Sequence, residues 1–156
     1  MTKPLEAVID QRNGDFYVQS WDYSTGRYAM LSQGIWFAKI AAELPESDLG
    51  AAAREALARS RSDIANTPER QAEKRKTRLA LLRLAGARGE TQYQTGLSKI
   101  AITEHKEKDD FEIRVYDNPD PRQNMTERPA RVYIPKTCSD EELGIRIRSL
   151  LAPPAI

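Results

Sequence analysis

The chain of 156 residues contains one cysteine, Cys138, and one histidine, His105. A single thiol excludes an intrachain disulfide, so the fold has to rest on a packed core. A single histidine leaves a thin catalytic inventory. No G-x-G-x-x-G stretch, P-loop or His/Cys cluster with zinc spacing is present, so no cofactor or metal is expected. No run approaches the ~18 apolar residues of a membrane span. The first dozen residues lack the apolar segment of a secretory leader. With the lone thiol, that predicts a reducing, cytoplasmic setting. Net charge is also missing: 24 basic side chains against 23 acidic ones leave +1. Any attraction to nucleic acid or membrane must therefore be local.

What is present is ordinary for a soluble fold, at 40% hydrophobic and 30% charged, and long enough for one domain with a real core. One pattern occurs twice. Ser47-Asp48-Leu49-Gly50 and Ser139-Asp140-Glu141-Glu142-Leu143-Gly144 align on Leu-Gly. The alignment matches Arg54 to Arg148, Leu57 to Leu151 and Ala56 to Leu150. Each copy follows a Pro-containing turn and an apolar, strand-like run. Ser139 and Glu142 have capping-box spacing. Leu49, Ala52, Ala53, Ala56 and Leu57 recur at helical spacing, as do Leu143, Ile147, Leu150 and Leu151. A glycine early in a helix costs up to about 1 kcal/mol relative to alanine. Its repetition at one register implies close packing of both helices, with a sheet as the expected surface. Two unrelated amphipathic helices would also give this spacing.

The rest of the chain supplies strands. Residues 5–9 and 16–21 flank Asn13-Gly14, a hairpin signature. A third strand is expected at 27–31, after a turn at Ser24-Thr25-Gly26. The apolar run 35–40 suits a strand or a short helix. Thr67-Pro68-Glu69 starts a helix cleanly and predicts it to about Leu84, with a stop near Gly86 or Gly89. Its charged first half should lie on the surface and its apolar second half should be buried. A loop holding Tyr93 follows. Residues 99–104 and 111–116 alternate as an antiparallel hairpin with one wet face. A polar loop with Pro119, Pro121 and Pro129 leads to a strand at 131–134, and Pro153-Pro154 ends the last helix. The order predicts an α+β fold: a mostly antiparallel sheet of about six strands with three helices packed on it. It forms two strands-then-helix halves, with 67–88 as a helical insertion in a single domain, 1–156.

Charge is segregated. Residues 67–88 carry seven basic and two acidic side chains, and 104–120 carry seven acidic and three basic. The basic helix suits a phosphate backbone or a solvated face with i,i+4 pairs. The acidic turn suits a hairpin tip or a patch for a basic partner. His105 reads as a turn histidine, and as a general base it would need a partner and a pocket. Cys138, just before a helix, reads as a half-buried thiol or as one with lowered pKa. The expectation is a binding protein, not an enzyme. Its candidate contacts are Trp21, Asp22, Tyr23 and Tyr93, as strand-end and loop anchors, and Glu107, Asp109 and Asp110 at the acidic turn.

The helix at 139–151, together with Ser47-Asp48-Leu49-Gly50 and the strands at 16–18 and 99–103, resembles one family of CdiI immunity proteins from contact-dependent growth inhibition systems. The likeness covers most of the chain but is poor over 67–97. It implies a small cytosolic bacterial protein that binds the C-terminal toxin domain of a CdiA effector, as a 1:1 heterodimer, and blocks it. Such toxins are often nucleases acting on tRNA, other RNA or DNA. The family has no catalytic residues to transfer, and its toxin contacts differ between members. The rival reading is a nucleic-acid-binding regulator using 67–88.

Overall fold

The computed structural model describes residues 3–25, 30–117 and 125–151. The first half is β1 (Leu5–Arg12), β2 (Asp15–Tyr23), β3 (Leu31–Ile40) and α1 (Glu46–Ala58). Then come α2 (Pro68–Leu84) and the short α3 (Glu90–Gln94). The second half is β4 (Ser98–Glu104), β5 (Asp110–Asp117), β6 (Thr126–Glu127), β7 (Val132–Pro135) and α4 (Asp140–Leu151). The strands form one antiparallel sheet in the order β3-β2-β1-β4-β5-β6, with β7 also pairing with β5. The α+β reading and its two strands-then-helix halves hold. A fourth helix, α3, joins the three expected.

The local signals explain most boundaries. Asn13 and Gly14 both have positive φ, 53° and 86°, as a two-residue turn between right-twisted strands requires. Thr67 caps α2 by accepting a hydrogen bond from the Arg70 amide at 3.1 Å. Ser139 does the same for Glu142 at 3.0 Å in α4. Gly86, at φ 71°, stands just beyond α2, where a left-handed residue ends a helix without strain.

Three expectations change. Leu31 is not the end of a third strand separate from the run 35–40. Leu31 begins β3, which continues through the apolar run 35–40 as one strand; residues 27–29, with Gly26 of the preceding turn, lie outside the described residues, as do Pro119, Pro121, Pro153 and Pro154. The register between β2 and β3 shifts between Gln19 and Trp21, and Ser20 Oγ accepts from the Trp36 amide there at 3.2 Å. Three residues of β3, Gly34 to Trp36, stand there against the one residue Ser20, so the strand bulges and continues. Second, Tyr93 is in α3, not a loop. Third, the charged first half of α2 is not all on the surface. Arg70 is buried against Asp22 Oδ2 at 3.3 Å, and its Nη2 donates to the Gln33 carbonyl at 2.6 Å.

The main core lies between one sheet face and the helix pair α1 and α4. Ala7, Ile9, Phe16, Val18, Ile100, Ile102, Phe111 and Ile113 meet Leu49, Ala53, Leu57, Leu143, Ile147 and Leu151. The two repeated glycines do not lie on the sheet, as expected, but where the helices cross. A Cβ on Gly50 would stand 1.8 Å from the Asp140 carbonyl oxygen, and one on Gly144 1.8 Å from that of Glu46. Each helix thus rests on the first turn of the other.

The matched arginines make the crossing reciprocal. Arg54 Nε bonds Asp140 Oδ1 at 2.7 Å, and its Nη groups donate to the carbonyls of Lys136 and Cys138. Arg148 Nε stands 3.3 Å from Glu46 Oε1, and its Nη groups donate to Ala42 and Leu44. Arg54 lies over the Phe111 ring at 5.4 Å, Arg148 over Phe16 at 5.1 Å. Each guanidinium satisfies carbonyls that lead into the other helix and stacks on an aromatic of the other half.

Gly50→Ala and Gly144→Ala should each destabilise by about 2 kcal/mol or more, because the obstruction is backbone and no rotamer relieves it. Gly89→Ala, with nothing within 4 Å of its Cβ position, should stay within about 0.5 kcal/mol. Urea melts of the three variants decide.

Candidate functional site

The side chains that alternate with the core residues point to the other sheet face. There α2 packs along β3, and Tyr93 of α3 meets Tyr17 edge-on with ring centroids 6.1 Å apart. Leu81, Leu82, Ala85 and Leu97 complete this smaller cluster. Among the described residues, α3 reaches β1 only at Asp10, through Tyr93, and no helix covers β4 and β5 on this face. A groove runs there beside α2 and α3, made of three adjoining clefts that share Leu31.

The cleft nearest α2 encloses about 340 Å³. Gln33 from β3, Trp21 from β2, Lys99 from β4, Lys74 and Arg78 from α2, and Glu90 from α3 line it. A buried network supports them. Asp10 Oδ2 accepts from Gln19 Nε2 at 2.7 Å and from the Tyr93 hydroxyl at 2.5 Å. Burial, then the Asp10 charge, raises the Tyr93 pKa well above its usual value. Arg78 covers the Tyr93 ring at 4.8 Å, bonds Glu90 and donates to Gln33 Oε1 at 3.2 Å. Its hydrogen bond holds the Glu90 carboxyl below the usual range, overcoming burial.

The middle cleft, about 250 Å³, has Glu6, Arg114 and Tyr116 around Val8 and Ala101. Glu6 is almost wholly buried between Arg114, the Tyr23 hydroxyl (3.1 Å) and Thr103 Oγ1 (2.9 Å). Burial pushes its pKa up, against the pull of Arg114. The third cleft, about 190 Å³, includes His105, Glu112 and Arg131. His105 Nε2 lies 3.3 Å from Glu112 Oε2, and Arg131 bonds the other carboxylate oxygen. Burial raises the Glu112 pKa, but the bonds from Arg131 and His105 outweigh it and the net shift is downward. The hairpin face expected to be wet is thus partly closed by its own charged chains, which bury Ala101 and Thr103.

The candidate contacts separate. Trp21 and Tyr23 are half-buried and line the groove. Asp22 is buried and held by Arg61 (2.7 Å) and Arg70. Tyr93 is fully buried under Arg78. Both side chains are held inside by these partners. Glu107, Asp109 and Asp110 are exposed at the β4–β5 turn, next in sequence to the His105 end of the groove. Cys138 is half-buried near Arg54, and burial raises its pKa rather than lowering it. Sequence reasoning did not single out Glu6, Gln33, Lys74, Lys99 or Arg114. The charged Glu6, Asp10, Lys99, Glu112 and Arg114, on one alternating face of three strands, were the available signal, and they mark a partly polar face without showing what that face encloses. Among the described residues, no group of three His, Cys, Asp or Glu is placed to hold a metal, and no helix is long and apolar enough to cross a membrane.

No family model and no curated protein matches the chain. Solved structures do. A protein of unknown function from Neisseria meningitidis is 17% identical, with TM-score 0.76 over 97% of this chain and 96% of that one. A chain of the CdiA-CT/CdiI toxin and immunity complex from Yersinia pseudotuberculosis is 15% identical, with TM-score 0.73 over 96% and 97%. The fold is therefore one found in a toxin–immunity complex.

The groove carboxylates have opposite linkage to pH. Glu90 and Glu112, with lowered pKa, contribute stability that is present above the unfolded glutamate value of about 4.3 and is lost as pH falls through their folded values. Glu6, with raised pKa, opposes this, its contribution being lost as pH rises through its folded value. A carbon-detected NMR titration should find Glu90 and Glu112 titrating below ordinary glutamates and Glu6 above. Glu112→Gln should flatten the loss of stability between about pH 5 and pH 3.

Proposed function

We propose that this chain is a cytoplasmic immunity protein, a single domain with 67–88 as an insertion. It binds the C-terminal toxin domain of a contact-dependent growth inhibition effector one-to-one and neutralises it without catalysis of its own. The observation that carries the reading is the whole-length fold match to a chain of a CdiA-CT/CdiI complex. The residues resembling CdiI, the Leu-Gly helices, are those that build the helix crossing of this fold. The toxin is read as a nuclease, perforce with a basic cleft for phosphate. The exposed carboxylates Glu107, Asp109 and Asp110 then serve as the complementary patch, with Trp21 and Tyr23 in the adjoining groove.

The nucleic-acid-binding alternative draws on α2. Of its basic side chains, Arg70 and Arg78 face inward, in ion pairs with Asp22 and Glu90. That leaves a shorter exposed row for a phosphate backbone than the sequence suggested.

Co-expression with the product of the adjacent upstream reading frame tests the proposal. A tight 1:1 complex and rescue of growth are expected, with no salt-sensitive binding to bulk RNA or DNA. Binding to bulk nucleic acid without any protein partner would favour the alternative. Glu107→Lys with Asp110→Lys should slow association about tenfold or more at low ionic strength, read by stopped flow. His105→Ala and Cys138→Ala should keep full protection; its loss in a folded variant would contradict a purely binding role.

A further inference from the structure

The cleft between α2 and the sheet collects hydrogen-bond donors that the chain itself does not satisfy. Gln33 is 3% exposed, and its Nε2 has no hydrogen-bond partner, while its Oε1 is oriented by Arg78. Trp21 Nε1 is buried and likewise unpartnered. Lys99 Nζ stands 3.8 Å from Asp10 Oδ1, an ion pair beyond hydrogen-bonding distance. Lys74 is half-buried beside them. These groups come from β2, β3, β4 and α2, and all of them line the one cleft. Buried donors without acceptors are rare in folded proteins, and a group of them in one cleft calls for an acceptor there.

The charges define the acceptor. Lys74, Arg78 and Lys99 line the cleft against one acidic group, Glu90, which Arg78 already holds. Asp10 lies beneath Lys99. The balance favours an anion, and the two neighbouring carboxylates favour a monoanion over a dianion. A carboxylate offers two oxygens with about four acceptor sites, enough for the Gln33 amide, the Trp21 indole and a lysine together.

We propose that this cleft is a carboxylate-binding site, filled by an acidic side chain of the protein partner. The proposal takes only the partner's identity from the immunity reading. Set at the α2 end of the groove, away from the acidic β4–β5 turn, the site makes the docking surface bipolar. A partner would have to present an acid to the cleft and bases to the turn, a pattern that fixes orientation as well as attraction.

The test uses the full chain, labelled with nitrogen-15, and N-acetylglutamate α-amide as the probe. The Trp21 indole and Gln33 amide signals should move saturably with this monoanion and not with the neutral N-acetylglutamine amide. Lys99→Met and Trp21→Phe, each checked for folding by circular dichroism, should weaken the probe by about tenfold, the size expected for one charge-assisted hydrogen bond. No saturable shift would overturn the site. Tighter binding of inorganic phosphate than of the carboxylate would overturn its chemistry and point to a nucleic acid instead. With the toxin complex in hand, Lys99→Met should speed dissociation. An unchanged complex would reject the docking role and leave the immunity reading standing, whereas carboxylate binding in a chain that finds no toxin would do the reverse.

Discussion

The close crossing of α1 and α4 is the constraint on which the rest of the structure depends. Gly50 and Gly144 bring each helix onto the carbonyl of the other's first residue or its equivalent, Asp140 and Glu46. Arg54 and Arg148 then bind the carbonyls that lead into the opposite helix. Because the pair is locked, its leucines and isoleucines form one continuous apolar surface, and a six- to seven-stranded sheet can lie across both halves. With one sheet face fully sealed in this way, the other is free to carry charged and amphipathic side chains. The polar groove is the outcome of that division between a dry face and a wet one.

The groove also shows how a face with many buried charges stays stable. Glu6 and Asp10 alternate with core residues along β1 and would be costly if isolated. Each has partners from three different elements: Tyr23, Thr103 and Arg114 for one, and Gln19, Tyr93 and Lys99 for the other. The partners fix one another's positions, so the donors left over in the α2 cleft are held rigidly rather than turning away to water. Preorganisation of that kind reduces the ordering cost of binding.

Sequence reading went furthest where signals are local. Asn13-Gly14, Thr67-Pro68-Glu69 and Ser139 with Glu142 each specify a turn or cap through their own backbone chemistry, and the structure has each in place. The Leu-Gly repeat disclosed the two halves because its spacing is helical, although the reason for its glycines, a helix rather than a sheet, required the partner's position. Failures were non-local. Asp22 and Tyr93 look like free polar or aromatic anchors until Arg70 and Asp10 arrive from distant segments. Gln33, Lys74 and Lys99 are unremarkable in sequence, and only the assembly of two strands and a helix brings them to one cleft. The division between Leu31 and the run 35–40 failed because Gly34, Ile35 and Trp36 bulge opposite the single residue Ser20 and the strand carries on past them.

The two halves meet through β1 and β4, which pair along their whole length; Glu6 and Thr103, bonded across that seam, are 97 residues apart in the chain. During synthesis, β1 and β2 can form their hairpin at once. The inner edge of β1 must then wait, unpaired, until most of the protein has left the ribosome. An unpaired strand edge is a template for any other strand, and a seam closed so late makes folding slow. Asp10 and Glu6, charged and facing inward on that very strand, discourage a stranger from pairing there: only β4 brings the lysine and threonine that accommodate them. The same carboxylates that shape the groove in the finished molecule thus act earlier as a guard on the nascent one.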